Sequence, residues 1–115
     1  MRLESKKYLY DIARAADLIR RFTKGKAFAD FEDDEMMRSA VERQFEIIGE
    51  ALNKLVRADA ETATRISEHH HIIAFRNILI HGYAEIDRRL VWGVVESKLG
   101  VLADEVNALV GDADE

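Results

Sequence analysis

The residues with the most distinctive chemistry lie in one short stretch, residues 76–83. Arg76 is followed directly by Asn77. Three apolar residues come next, and after them His81, Gly82 and Tyr83. An imidazole exchanges protons near neutral pH, and a guanidinium binds phosphate through two N–H groups without losing its charge. The stretch therefore suits a reaction at a phosphate group, in which a proton moves and added negative charge is stabilised.

Helix geometry limits how these side chains can meet. Asn77 and His81 are four residues apart and share one face of a helix, whereas Arg76 is rotated by about 100° from Asn77. If the helix ends at Gly82, Tyr83 can fold back toward the turn that carries Arg76 and His81. The spacing thus predicts that the polar groups converge at a helix end.

The pattern RxxxxHxY, with Asn directly after the Arg, resembles the motif of HepT-like toxins, which are ribonucleases of the HEPN superfamily. Four other segments resemble the family in the same order along the chain: residues 8–12, 23–28, 48–51 and 91–92. The resemblance covers nearly the whole chain. It implies an all-α, antiparallel four-helix bundle that forms a two-fold homodimer with a composite active site.

The resemblance also implies a function, a toxin-type endoribonuclease that needs no metal or other cofactor. In such a reaction the RNA 2′-hydroxyl attacks the adjacent phosphate. His81 is expected to transfer the proton, Arg76 to bind the phosphate, and Asn77 to orient the His or donate to a phosphate oxygen. One His does not supply both acid and base, so a dimer that brings two motifs together would meet the need.

Tyr83 has a further role by the same resemblance, as a target of adenylylation by a partner nucleotidyltransferase, the antitoxin. A phosphate-bearing adduct beside Arg76 would add negative charge in the RNA path and switch the site off. The alternative is a Tyr that packs at the helix end with its hydroxyl in water.

Three other interpretations stay open. Arg76, Asn77 and His81 could form a hydrogen-bonded structural cluster with Glu50 and Asp11, with Glu50 as the partner of Arg76 in either case. The chain could be a non-catalytic partner subunit of a nucleotidyltransferase that binds nucleotide or is modified at Tyr83. It could also be a purely structural dimerisation module.

A run of three histidines, residues 69–71, raises the question of a metal site, because imidazole is a common zinc and nickel ligand. Adjacent helical positions point about 100° apart and cannot chelate one ion together. The chain has no Cys and no HExxH pattern. We therefore expect no metal site.

The elements that carry the motif are predicted to be helices, since the chain has no Pro and its apolar residues recur at three and four. A first helix spans residues 3–22 and ends near Gly25. The linker after it carries Phe28 and Phe31, which are expected to plug the end of the bundle. Asp33 or Asp34 caps a second helix whose buried stripe is Met37, Val41, Phe45, Ile48, Leu52 and Leu55.

Gly49 lies inside that second helix, where it costs about 1 kcal/mol relative to Ala, so we expect the third helix to approach closely there. Asp59 is predicted to cap a brief helical turn. The third helix, residues 66–81, is apolar nearly all round, and this indicates a second buried side, which we assign to a two-fold copy of the chain. Asp87 caps a fourth helix that presents Trp92, Val95, Leu99, Leu102, Val106 and Leu109.

Length and composition set the remaining limits. A chain of 115 residues makes one domain, here residues 1–110 followed by a frayed acidic tail, 111–115. A net charge of −5 argues against non-specific coating of duplex nucleic acid. Without Cys there is no disulfide, and no apolar run reaches the length of a membrane span. We expect a cytoplasmic protein without a membrane partner.

Overall fold

The computed structural model describes residues 1–82 and 86–113, and all the regular structure in these two ranges is helical. The helices are α1 (Leu3–Thr23), α2 (Phe28–Asp33), α3 (Glu35–Ala58), α4 (Ala60–Thr64), α5 (His69–His81), α6 (Arg88–Ser97) and α7 (Leu99–Ala113). The predicted all-α class is confirmed.

The long helices pack in the order α5, α3, α1, α7, because α3 contacts α5 on one side and α1 on the other, and α1 also contacts α7. The predicted buried stripe of α3 is confirmed, and all six of its residues lie in the core. Helix α6 continues into α7 and contacts α2. The bundle thus has three long helices, α1, α3 and α5, and the pair α6–α7 in the place of a fourth.

Aspartates cap three helices: Asp59 and Asp87 as predicted, and Asp34 of the two candidates Asp33 and Asp34. Asp34 accepts a hydrogen bond from the Met37 amide at 3.0 Å and caps α3. Asp87 caps α6 by accepting from the Arg89 and Leu90 amides. A carboxylate at this position accepts from first-turn N–H groups that have no partner within the helix.

The connection between α1 and α3 is more ordered than a linker. Gly25 has the left-handed φ of +73° that lets the chain turn after α1, and residues 28–33 then form the short helix α2. Phe31 is fully buried, with its ring centroid 5.1 Å from that of Trp92. Phe28 is half-buried and lies 4.2 Å under the Arg89 guanidinium. The two aromatic residues therefore close the end of the bundle, as predicted.

The start of the third long helix differs from the prediction. Helix α5 begins at His69, three residues later than expected, because Glu68 has a left-handed φ of 56° that a helix interior does not allow. Ser67 gives both its amide and its hydroxyl to the Glu105 carboxylate, at 3.0 and 2.7 Å. These contacts to α7 take the place of a first helical turn.

The predicted single fourth helix is two helices. The backbone departs from ideal helix at Lys98, which has φ −116° and ψ −34°. The Lys98 ammonium donates to Glu68 Oε2 at 2.6 Å, which ties the junction between α6 and α7 to the start of α5. Leu99, Leu102, Val106 and Leu109 are buried as predicted.

The C-terminal helix α7 runs to Ala113. The fraying of residues 111–115 stays a prediction, and residues 114 and 115 lie outside the described ranges. In the part of the chain that the structure describes, no helix combines the length and the hydropathy that crossing a membrane requires.

Asp59 joins two distant parts of the bundle, and its removal is expected to cost stability. Its carboxylate accepts from the Thr62 hydroxyl and amide at 2.7 and 3.2 Å, and from the buried Ser5 hydroxyl at 3.1 Å. The Thr62 hydroxyl chiefly holds the pKa of this carboxyl below its ordinary value, and the Thr62 amide and Ser5 hydroxyl add to the effect. For Asp59→Ala we expect a loss of about 1–2 kcal/mol in the free energy of unfolding at pH 7.

The same loss should depend on pH. Because the folded-state pKa is lowered, the stabilisation is complete above the unfolded-state pKa of the carboxyl and disappears as the pH falls through the folded-state pKa. Urea unfolding of wild type and Asp59→Ala between pH 7 and pH 2 measures how the difference in their free energies of unfolding decreases. The control is Asp104→Ala, which removes a carboxylate that is 80% exposed and should change stability by less than about 0.5 kcal/mol. A difference in free energy of unfolding between wild type and Asp59→Ala that does not change with pH would contradict the prediction.

Candidate active site

Helix α5 positions the three predicted catalytic side chains. It buries Ile72, Phe75 and Leu79 toward the core, at the spacing of three and four that marks one helix face. Phe75 packs edge-on against Phe45 of α3, with ring centroids 5.2 Å apart. This packing fixes the rotation of α5 about its axis, and with it the directions in which Arg76, Asn77 and His81 leave the helix.

Arg76 lies against α3 at Gly49. A Cβ atom built on Gly49 would lie 2.2 Å from Arg76 Cβ and 2.5 Å from Arg76 Cγ, so the Arg stem fills the space that a side chain would need. The predicted close approach of the two helices at Gly49 is therefore confirmed. That Arg76 itself makes this approach could not be read from the sequence, although a Gly inside a helix was a signal for some close contact.

The Arg76 guanidinium has one described partner. Its Nη1 donates to Asn77 Oδ1 at 3.0 Å, whereas its Nε is buried and has no hydrogen-bond partner in the described structure. Asn77 accepts this bond through Oδ1, so the N–H groups of its exposed side chain remain available to donate to another acceptor. Arg76 and Asn77, which are adjacent on α5, thus present N–H donors side by side.

His81 is exposed in the last turn of α5. Gly82 ends the helix with its amide donating to Ile78 O at 2.8 Å. A Cβ on Gly82 would lie 2.7 Å from that carbonyl oxygen, so the tight helix end requires Gly. Tyr83, the predicted site of modification, lies outside the described residues.

The predicted supporting residues pair with lysines on their own helices. Glu50 forms an ion pair with Lys54 at 3.3 Å, and Asp11 forms one with Lys7 at 2.9 Å. Both carboxylates line a small cavity between α1 and α3. Among residues 1–82 and 86–113, no ion pair or hydrogen bond joins Glu50 to Arg76, so the expected contact is not formed and Asn77 takes its place.

The three histidines at the start of α5 contact their neighbours. His69 Nδ1 lies 3.2 Å from Ile66 O and its ring lies 4.0 Å from that of His70, while His71 Nδ1 lies 3.4 Å from Glu68 Oε1. Over the two described ranges, no three His, Cys, Asp or Glu side chains are grouped so that they could hold a metal ion.

An apolar surface adjoins the polar residues on α5. We call it the α5–α6 face: Ile78 on α5 is 50% exposed and Leu90 on α6 is 41% exposed. A groove of about 230 Å³ runs along it between Phe75, Ile78, Leu90 and Val94. Burial of Ile72, Phe75 and Leu79 uses only one side of α5. This agrees with the expectation that one face within the subunit cannot cover all the apolar residues of the helix.

In chemical terms, the end of α5 offers an exposed imidazole, a half-buried guanidinium, and an exposed amide whose N–H groups can donate. These groups can exchange a proton and neutralise an anionic phosphate. The unpaired Arg76 Nε, and the ion pairs that Glu50 and Asp11 form with lysines instead, argue against a fully satisfied structural cluster of these residues.

Comparisons with known proteins agree with this chemistry. The protein-family model described as Ribonuclease HepT-like matches residues 12–109. The chain is 35% identical over 109 residues to the "Probable ribonuclease HepT" of Thermococcus cleftensis, covering 95% of this chain and 98% of that one. It is 36% identical over 101 residues to a Methanocaldococcus jannaschii protein named "Putative RNase", covering 88% of this chain and 92% of that one.

A third relative, also from Methanocaldococcus jannaschii, is longer. It is 33% identical over the full 115 residues, but the chain spans only 51% of it, and its name joins "Gamma-glutamylcyclotransferase" to an RNase. No solved structure matches the chain. Since the family model covers most of the sequence and the relatives match along nearly its whole length, the chain belongs to the Ribonuclease HepT-like family.

Proposed function

We propose that the protein is a toxin-type endoribonuclease that cleaves RNA without a metal ion, through attack of a 2′-hydroxyl on the adjacent phosphate. The observation that carries the proposal is the arrangement at the end of α5. There an exposed His81 follows, by one helical turn, a guanidinium–amide pair of Arg76 and Asn77 at 3.0 Å. Membership of the HepT-like family supports the choice of RNA as the substrate.

Each side chain has a separate task in this reaction. His81 takes the proton from the 2′-hydroxyl or gives one to the leaving 5′-oxygen, and its exposure gives RNA access to the ring. Arg76 binds the phosphate oxygens and stabilises the extra negative charge of the transition state. Asn77 holds Arg76 through its carbonyl and can donate to the phosphate through its amide.

A second copy of the chain completes the site in this proposal. Cleavage needs both an acid and a base, and the described residues around His81 include no second imidazole at this end of α5. The α5–α6 face adjoins the polar residues and exposes Ile78 and Leu90. Two copies that pack through this face by two-fold symmetry would cover its apolar residues and bring two His81 side chains to one seam.

The biological part of the proposal rests on the family resemblance. The protein acts in the cytoplasm as the toxin of a toxin–antitoxin pair, and a minimal nucleotidyltransferase restrains it by adenylylating Tyr83. A negatively charged adduct next to Arg76 would compete with substrate phosphate for the guanidinium.

The chemistry is tested with one RNA oligonucleotide that the purified protein cleaves, in the presence of EDTA. Replacing the single ribose 5′ of the cleaved bond with 2′-deoxyribose should stop cleavage there, because the attacking nucleophile is gone. The unmodified RNA should give a 2′,3′-cyclic phosphate end, which mass spectrometry identifies. A 2′-deoxy replacement two nucleotides away is the control and should leave cleavage unchanged. Cleavage of the modified bond, or a requirement for added metal, would contradict the mechanism.

A further inference from the structure

The contact between Gly49 on α3 and Arg76 on α5 is closer than any side chain would allow. Ordinary van der Waals contact begins at 3.4 Å, so a Cβ at position 49 falls short of it by about 1.2 Å against Arg76 Cβ. The atom in the way is the first of the Arg side chain, and rotation about χ angles cannot move it. An alanine at position 49 would therefore force α5 away from α3.

This contact determines where the guanidinium lies. With the stem held against Gly49, Arg76 is half-buried, its Nε is shielded from water, and its Nη1 reaches Asn77 Oδ1. A buried N–H without a partner costs about 1–3 kcal/mol, so hydrogen bonding of the Arg76 side chain does not favour this position. The packing of α3 against α5 holds it there.

We infer that Gly49 is a positioning residue for RNA cleavage, because its missing side chain makes the slot that holds the Arg76 stem and aims the guanidinium at the substrate phosphate. The inference rests on the proposed function for its catalytic consequence. It goes beyond that function by assigning a role to a buried residue on another helix, which touches neither RNA nor the reacting atoms.

The first measurement is cleavage by Gly49→Ala at a temperature where circular dichroism shows it folded. A displacement of about 1 Å in a catalytic group can cost about 10²-fold in rate, and we expect a fall of that size. The matched control is Gly111→Ala on α7, where a new Cβ meets nothing within 4 Å, and cleavage should be unchanged. Full activity of Gly49→Ala would overturn the inference.

The second measurement separates positioning from general loss of packing. If Gly49 acts only through Arg76, then adding Gly49→Ala to an Arg76→Gly protein should cause no further loss of cleavage. Arg76→Gly also removes the clashing Cβ, so Gly49→Ala should lower the unfolding temperature less in the Arg76→Gly protein than in wild type. Additive losses of activity, or an equal lowering of the unfolding temperature in both proteins, would show that the slot does not act through Arg76.

The third measurement does not depend on cleavage. A shielded Nε–H exchanges slowly with water, so wild type should give an Arg76 Nε–H resonance in NMR at neutral pH, assigned by its absence in Arg76→Gly. Gly49→Ala should lose this resonance and Gly111→Ala should keep it. If wild type cleaves no RNA but this pattern holds, the proposed function fails and the positioning of Arg76 by Gly49 stands. Retention of the resonance in Gly49→Ala would overturn the positioning as well.

Discussion

Replacement of His81 with alanine is expected to lower the rate of RNA cleavage by about 10²–10⁴-fold, the usual contribution of a positioned proton-transfer group. The side chain is exposed at the end of α5, and its ring makes no described contact that holds the fold together. The free energy of unfolding should therefore stay within about 0.5 kcal/mol of wild type. Single-turnover cleavage of a defined RNA, with thermal unfolding of the same samples, measures both effects.

The matched control for this substitution is His70→Ala. His70 is exposed on the same helix but lies three turns earlier, in the first turn of α5, with its ring against His69. It carries no role in the proposed reaction, so its removal should leave cleavage unchanged. Equal activity of wild type and His81→Ala would rule out the assigned proton transfer, and equal inactivity on diverse RNA pools would rule out the ribonuclease proposal.

The second large effect is expected at the α5–α6 face. Ile78→Glu should weaken the proposed homodimer by about 10²-fold or more, because each subunit would lose apolar burial and bring an unpaired carboxylate into the interface. The two losses together amount to about 3 kcal/mol, which corresponds to roughly a hundredfold in the dissociation constant. Sedimentation velocity over a range of protein concentrations measures the change.

Loss of the dimer should remove cleavage as well, since the proposal places the acid and the base on different subunits. The control is Val101→Glu on α7, where the valine is 54% exposed, compared with 50% for Ile78. That variant should remain dimeric and active. A wild-type protein that is monomeric at high concentration and still cleaves RNA would contradict the composite site. An Ile78→Glu protein that stays dimeric would show that the interface lies elsewhere.

The helices could be predicted from sequence because the forces that start and stop them act locally. Asp34, Asp59 and Asp87 each cap a helix through amides two or three residues ahead, and Gly25 supplies the positive φ after α1. Amphipathic spacing selects the buried stripe in the same local way. The boundaries that were predicted wrongly, at Ile66 and at Lys98, are those where long-range contacts replace local ones.

Those long-range contacts join Ser67 to Glu105 and Lys98 to Glu68. The residues in each pair are 38 and 30 positions apart. No periodicity within one helix indicates such pairs, because they depend on how three helix ends meet in space. The expected contact between Glu50 and Arg76 could not be predicted correctly for the same reason. Both residues are on the predicted helices, but Glu50 forms its ion pair with Lys54, one turn along its own helix.

The sequence by itself determined the all-helical class, two of the three aspartate caps, the family, and the set Arg76, Asn77 and His81 as candidates for chemistry, because motif letters and helix periodicity need no partner in space. Only the tertiary structure decided what surrounds them. The stem of Arg76 lies in the slot at Gly49, its guanidinium bonds to Asn77, and the apolar α5–α6 face stays uncovered. The first two depend on the distance and rotation between α3 and α5, to which the packing of Phe75 against Phe45 contributes, and the third depends on how α6 lies beside α5.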